Sequence, residues 1–97
     1  MLPYEPYKLE YNMQNIISNE QIEELRALVA NAQHITICAH VGPDGDAIGS
    51  SLAIRHWMRR WGKEARVVVP NRFPDVLNWM SEADTILRFD HDPDAVK

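Results

Sequence analysis

The 97-residue sequence contains a single cysteine, Cys38, so no disulfide can form within the chain. This cysteine usage is typical of a reducing compartment, and we expect a cytoplasmic protein. No apolar run approaches the roughly 20 residues that a membrane-spanning helix needs. The first residues also lack the basic start and apolar core of a secretory signal. We therefore expect no association with a membrane.

Positive charge is scarce. Ten Lys and Arg residues against fourteen Asp and Glu residues give a formal net charge of -4. This balance argues against nucleic-acid binding through a broad basic surface. It does not exclude a small phosphorylated substrate held through a metal cation, because the cation would supply the positive charge.

Apolar periodicity predicts an α/β fold. The sequence from Ser18 to Gln21 has the form of a capping box, and the apolar spacing after it predicts a helix over about 19–31. Strands are predicted over 35–37, 65–69 and 85–89, and the three consecutive valines of the second are typical of a parallel strand covered on both faces. Strand, helix and strand in this order predict a parallel βαβ unit.

The helix of that βαβ unit is predicted to run from Ala47 to the C′ residue Gly62. Its residues Ile54, Trp57, Met58 and Trp61 have helical spacing and are predicted to face the core. A short helix is predicted over 74–80 and another one is predicted to begin at Asp92-Pro93.

We divide the chain into an irregular amino-terminal extension, residues 1–17, and an α/β domain, residues 18–97. The domain stops where a helix begins, and three parallel strands rarely make a complete sheet. We therefore expect residues 18–97 to be the amino-terminal part of a longer domain.

Residues with metal-binding chemistry cluster after the first strand. In His40-Val-Gly-Pro-Asp44-Gly-Asp46 an imidazole and two carboxylates follow the carboxyl end of a strand, where ligands bind in open α/β sheets. Such donors suit Mn²⁺ or Mg²⁺, and Gly45 between the two aspartates would allow a tight turn. A plain turn has the same composition, with Asp46 as an N-cap and His40 as a hydrogen-bonded residue. Spacing alone leaves both interpretations open. The same is true of Asn71, which follows the second strand and is either close to the metal site or a plain turn residue.

The stretch Ile-Thr-Ile-Cys-Ala-His40-Val-Gly-Pro-Asp44-Gly-Asp46-Ala-Ile-Gly-Ser-Ser-Leu-Ala resembles the first motif of the DHH phosphoesterase superfamily. That motif is His-x-x-x-Asp-x-Asp after an apolar strand. The later Val-Val-Val-Pro-Asn-Arg-Phe-Pro-Asp-Val-Leu-Asn-Trp-Met resembles the branch with a DHHA1 domain, the bifunctional oligoribonuclease and adenosine bisphosphate phosphatase type. The likeness runs from about Gln14 to the end of the sequence but covers only the opening of that family's length.

The resemblance implies a Rossmann-like three-layer α/β/α fold and a cytoplasmic metal-dependent hydrolase. In the family, the residues matching His40, Asp44 and Asp46 bind manganese in a two-metal centre, with Mg²⁺ as an alternative ion. The implied substrates are short single-stranded oligoribonucleotides and 3′-phosphoadenosine 5′-phosphate, and the implied full-length form is a homodimer. The family's second-motif Asp, its Asp-His-His motif and its DHHA1 domain are missing from these residues, so we expect this piece alone to be inactive.

Two alternatives remain. One is a cyclic dinucleotide phosphodiesterase of the same superfamily, and the other is a non-catalytic fragment that binds a metal or a nucleotide. Asp90-His91-Asp92 lies too early to be the Asp-His-His motif and is predicted to be a solvated loop. Cys38 is predicted to be a small buried residue of the first strand. Five further residues are predicted to lie at the surface: His34, Arg55, His56, Arg59 and Arg60.

Overall fold

The computed structural model describes residues 16–97. Within this range the elements are α1 (Asn19–Asn31), β1 (His34–Cys38), α2 (Gly45–Arg60), β2 (Glu64–Val69), β3 (Leu87–Arg88) and α3 (Pro93–Val96), with single 3-10 turns at Asp75–Leu77 and Ala83–Thr85. The contacts divide the chain into two compact units, Met1–Ala32 and Gln33–Lys97. The predicted irregular extension, residues 1–17, lies outside the described residues except for its last two, Ile16 and Ile17.

The helix α1 has the predicted bounds, and its start is fixed by a capping box. The Gln21 amide donates to the Ser18 hydroxyl at 3.1 Å, and the Ser18 amide donates to the Gln21 side chain at 2.9 Å. Both donors would otherwise lack a partner inside the helix. No residue of α1 is buried.

The three strands form a parallel sheet in the order β1-β2-β3. This confirms the predicted α/β class with a parallel sheet and flanking helices. The central strand β2 ends in three buried valines, Val67 to Val69, as predicted for a strand covered on both faces. The strand predicted over 85–89 is reduced to Leu87–Arg88, because Ala83–Thr85 forms a 3-10 turn.

The core lies between α2 and one face of the sheet. It consists of five buried residues: Ile48, Leu52, Val67, Val69 and Ala83.

The prediction that Ile54, Trp57, Met58 and Trp61 form the inward face of α2 is wrong for three of them. The exposed fractions are 42% for Ile54, 57% for Trp57 and 70% for Trp61, and the two indole rings pack edge to face. The inward face instead carries Ile48, Ser51 and Leu52. Two sets of apolar residues on this helix have helical spacing, and the set nearer its amino end is the one that is buried.

The ends of α2 show one correction and one confirmation. The helix begins at Gly45, two residues earlier than predicted, with Asp44 rather than Asp46 as its N-cap. At its other end Gly62 has the left-handed φ of +82° that favours glycine at C′. The Gly62 amide donates to Arg59 and the Lys63 amide donates to Met58, which completes a Schellman motif.

The segments after β2 are less regular than predicted. The helix expected over 74–80 is only the 3-10 turn Asp75–Leu77. The predicted cap at Asp92 with proline at the next position is confirmed, since the Ala95 amide donates to the Asp92 carboxylate at 3.3 Å.

Cys38, which was predicted to be buried, is exposed.

None of the helices within residues 16–97 has the length and apolar character that crossing a lipid bilayer requires.

Candidate metal site at the motif loop

The loop between β1 and α2, which we call the motif loop, is residues 39–44. It leaves the sheet at the carboxyl end of β1, and the segment that begins with Pro70 leaves β2 at the same edge. His40 lies at the start of the loop, and Asp44 lies at its end as the N-cap of α2. Asp46 follows in the first turn of the helix. The fold therefore places all three predicted ligands at the edge where ligands bind in parallel sheets.

His40 has a side-chain geometry that suits a metal ligand. Its Nδ1 atom lies 2.9 Å from the carbonyl oxygen of Val41. A carbonyl oxygen can only accept, so Nδ1 is the donor, and Nε2 is the ring nitrogen that remains for a metal. Metal-binding histidines are commonly fixed in one tautomer by such a bond from the other ring nitrogen. The Nε2 atom lies 3.9 Å from Oδ1 of Asp44.

Asp44 uses one carboxylate oxygen for capping. Its Oδ1 atom accepts from the Ala47 amide at 2.9 Å, and its backbone carbonyl accepts from the Ile48 amide at 3.0 Å. Within residues 16–97 no hydrogen bond or ion pair engages Oδ2. The capping bond orients the carboxylate, and the second oxygen is available to a cation.

Asp46 is exposed and its carboxylate has no hydrogen bond or ion pair within the described part of the chain. Asp44 and Asp46 are two residues apart at a helix start, and residues with this spacing do not face each other. Among the described residues, no group of three or more His, Cys, Asp or Glu side chains is arranged to hold a metal ion. The structure thus brings His40 and Asp44 together and leaves Asp46 beside them. Their imidazole and carboxylate donors suit Mn²⁺, and the three-ligand assignment stays a prediction.

The motif loop is held by Asn71, a residue whose role could not be decided from its spacing in the sequence. The Gly42 amide donates to Oδ1 of Asn71 at 2.8 Å. Gly42 has a φ of +65°, whereas Gly45 has no positive φ, so the glycine that the turn requires is Gly42. Pro43 beside it is fully buried. The sequence signal for Asn71 was its place two residues after the end of the central strand, at the edge from which the motif loop also leaves.

A second histidine–carboxylate pair lies in what we call the Glu82 cluster: Arg55, His56, Arg59 and Glu82. Both arginine side chains donate to Oε1 of Glu82, at 2.8 Å from Arg55 and 2.9 Å from Arg59. Nδ1 of His56 lies 3.1 Å from Oε2. The hydrogen bond from Arg55 is the main cause of a lowered pKa of Glu82, which the nearby cations lower further and desolvation opposes.

The same cluster corrects the prediction of a solvated arginine face. The side chain of Arg55 is only 12% exposed, and its Nε atom also donates to the carbonyl oxygen of Ala65 at 3.0 Å. Arg59 and Arg60 are exposed as predicted. Arg55 therefore connects α2 with both β2 and the turn at Glu82, which is a structural role.

No protein-family model matches the sequence, and no curated protein matches it. Among solved structures, the chain is similar to the crystal structure of an exopolyphosphatase-related protein from Bacteroides fragilis. The two share 40% sequence identity with a TM-score of 0.79. The match covers 84% of this chain and 24% of that chain, so the present chain spans about a quarter of its neighbour's length. Over the matched region, the two proteins therefore share both their fold and much of their sequence.

Proposed function

We propose that the protein carrying this chain is a manganese-dependent phosphoesterase of the DHH type. Its substrates are short single-stranded oligoribonucleotides and 3′-phosphoadenosine 5′-phosphate. His40, Asp44 and Asp46 would hold the metal, and the remaining ligands would come from outside these 97 residues.

The observation that carries the proposal is the pairing of His40 with Asp44. The Val41 carbonyl fixes the imidazole so that its free nitrogen is on the side of Asp44, and Asp44 keeps one oxygen without a partner among residues 16–97. An imidazole nitrogen and a carboxylate oxygen at this spacing form a donor pair that suits a divalent cation. The ions held by these residues would supply activation of a water and positive charge beside the phosphoryl oxygens.

The similarity to an exopolyphosphatase-related protein supports phosphoryl chemistry and favours a second candidate substrate. That candidate is inorganic polyphosphate, whose hydrolysis breaks a phosphoanhydride rather than a phosphoester bond. A cation at the site would offset the repulsion between either substrate and a chain of net charge -4.

The test is hydrolysis by the full-length protein with MnCl₂ and four substrates: a linear diribonucleotide, 3′-phosphoadenosine 5′-phosphate, a cyclic dinucleotide and polyphosphate. We expect Mn²⁺-dependent turnover of the first two, and loss of nearly all of it in Asp46→Asn. Asp84→Asn is the matched control, because Asp84 is an exposed aspartate before the start of β3, at the opposite edge of the sheet.

Each other result has a defined meaning. Faster turnover of polyphosphate would favour the second candidate, and faster turnover of the cyclic substrate would identify a cyclic dinucleotide phosphodiesterase. Absence of metal-dependent hydrolysis of every substrate, or full activity in Asp46→Asn, would contradict the proposal.

A further inference from the structure

We infer that Asn71 is a positioning residue for the proposed metal site. Its side-chain amide holds the motif loop in the geometry that presents His40 and Asp44 to a cation. The inference rests on the proposed function, because it assigns Asn71 a role toward the metal that the two residues would bind.

The hydrogen bond to Asn71 is made at the residue midway between the two proposed ligands. Gly42 is two residues from His40 and two residues from Asp44, and its amide is its one backbone donor. That donor is satisfied by Asn71, 29 residues further along the chain. The hydrogen bond therefore joins the middle of the motif loop to the end of the central strand.

Asn71 is itself attached to a rigid part of the sheet. The carbonyl of Val69 accepts from the Phe89 amide at 2.9 Å, and the carbonyl of Pro70 accepts from the Asp90 amide at 3.1 Å. These bonds continue the pairing of β2 with β3 up to the residue before Asn71. The backbone that precedes Asn71 is thus hydrogen-bonded to β3 and its continuation, so the acceptor for Gly42 is attached to the sheet outside the motif loop.

The hydrogen bond orients the loop more than it stabilises the fold. Pro43 is fully buried and anchors the loop to the protein by itself. Asp44 is anchored by its capping bond to α2. In the segment between β1 and Pro43, Ala39 packs against the core, and the left-handed Gly42 is held by its hydrogen bond to Asn71. Losing that hydrogen bond would leave the fold intact and free the distance between the His40 and Asp44 side chains.

The test compares Asn71→Leu, which keeps the size but removes the acceptor, with Asn71→Asp, which keeps an acceptor oxygen. The probe is MnCl₂ alone, and the dissociation constant is measured from the electron paramagnetic resonance signal of the free ion. We expect Asn71→Leu to weaken Mn²⁺ binding by about 10-fold or more, the scale for partners that orient metal ligands. Asn71→Asp should bind close to the wild-type value.

Two further measurements separate orientation from folding. Hydrogen exchange of the Gly42 amide should accelerate in Asn71→Leu and stay slow in Asn71→Asp, while the thermal unfolding midpoint changes little. If Asn71→Leu does not fold, Asn71→Ala replaces it, because alanine adds no bulk. Wild-type Mn²⁺ affinity in the variant without an acceptor, or equally weak binding in Asn71→Asp, would overturn the inference.

The failure of this inference can be distinguished from the failure of the proposed function. If the wild type binds no Mn²⁺, or if binding survives Asp44→Asn, then the metal site is wrong and the inference falls with it. If binding depends on Asp44 but is unaffected by removing the Asn71 acceptor, only the inference is wrong.

Discussion

Of the three histidine–carboxylate pairs within residues 16–97, the pair of His34 and Glu64 is exposed on both sides, and the other two differ in what surrounds them. In the motif loop, His40 lies 3.9 Å from Asp44, and in the Glu82 cluster, His56 lies 3.1 Å from Glu82. Two arginines also bind Glu82, so its charge is offset within the protein. No described arginine or lysine pairs with Asp44, whose one engaged oxygen accepts only a backbone amide.

The difference shows what makes a carboxylate available to a ligand. Glu82 has donors on both oxygens and helps to connect α2 with the turn before β3. Asp44 has a donor on one oxygen, which orients the group without neutralising it. A carboxylate held in place with its charge uncompensated attracts a cation, whereas one already paired with guanidinium groups does not. This contrast predicts opposite results for the two carboxylates.

Asp44→Asn should have the largest effect, and the property that it changes should be activity. We expect turnover in the full-length protein to drop on the order of a thousandfold or more, the scale for removing an essential member of a catalytic unit. Asparagine caps helices as well as aspartate does, so the free energy of unfolding should change by less than about 0.5 kcal/mol. The measurements are kcat/KM with MnCl₂ and urea unfolding. Activity near the wild-type level, or a loss of activity that merely follows unfolding, would erase the contrast between the two pairs.

Glu82→Gln should have the converse effect, lowering stability while leaving activity unchanged. The neighbouring cations hold the pKa of Glu82 below its ordinary value of 4.5. Its charge therefore stabilises the folded state above that value, and this contribution is lost as the pH falls through the lowered pKa. At pH 7 the variant should unfold at a lower temperature than the wild type, and the difference should shrink as the solution becomes more acidic than pH 4.5.

The measurement is the thermal midpoint of both proteins between pH 3 and 7. Asp75→Asn is the matched control, because the Arg72–Asp75 pair is exposed on both sides and should contribute little. The pKa of Asp90 is also lowered, chiefly by the hydrogen bond from Arg88, so both proteins should keep some acid sensitivity. A constant difference across the pH range would show that the charge of Glu82 is not what stabilises the cluster.

Local sequence patterns predicted much of this structure, whereas contacts between residues far apart in the sequence were not predicted. The capping box at Ser18 and the C′ glycine Gly62 were confirmed because each rests on contacts within a few residues. The rotation of α2 was wrong at Trp57 and Trp61, because two sets of apolar residues had helical spacing and only packing on the sheet selects one. The contact between Gly42 and Asn71 spans 29 residues, so no local pattern could establish it.

The same limit applies to the histidine–carboxylate pairs of His40 and His56. His40 and Asp44 are four residues apart, which made their association predictable from the loop. The partner of His56 is 26 residues away along the chain, so His56 was predicted only as a surface residue. What the sequence could supply for the site was therefore its location and its donor types, and not the arrangement of Asp46 relative to the other two.

His56→Gln should have the smallest effect and tests whether the Glu82 cluster depends on its histidine. Arg55 and Arg59 already bind Glu82, and the His56 side chain is 38% exposed, so water screens its contribution. At pH 7 we expect a change in the free energy of unfolding within about 0.5 kcal/mol and unchanged hydrolysis. A large loss of stability would mean that the imidazole, and not the two guanidinium groups, holds the Glu82 turn. The number of hydrogen-bond donors on each carboxylate would then no longer explain why Asp44 is available to a metal and Glu82 is not.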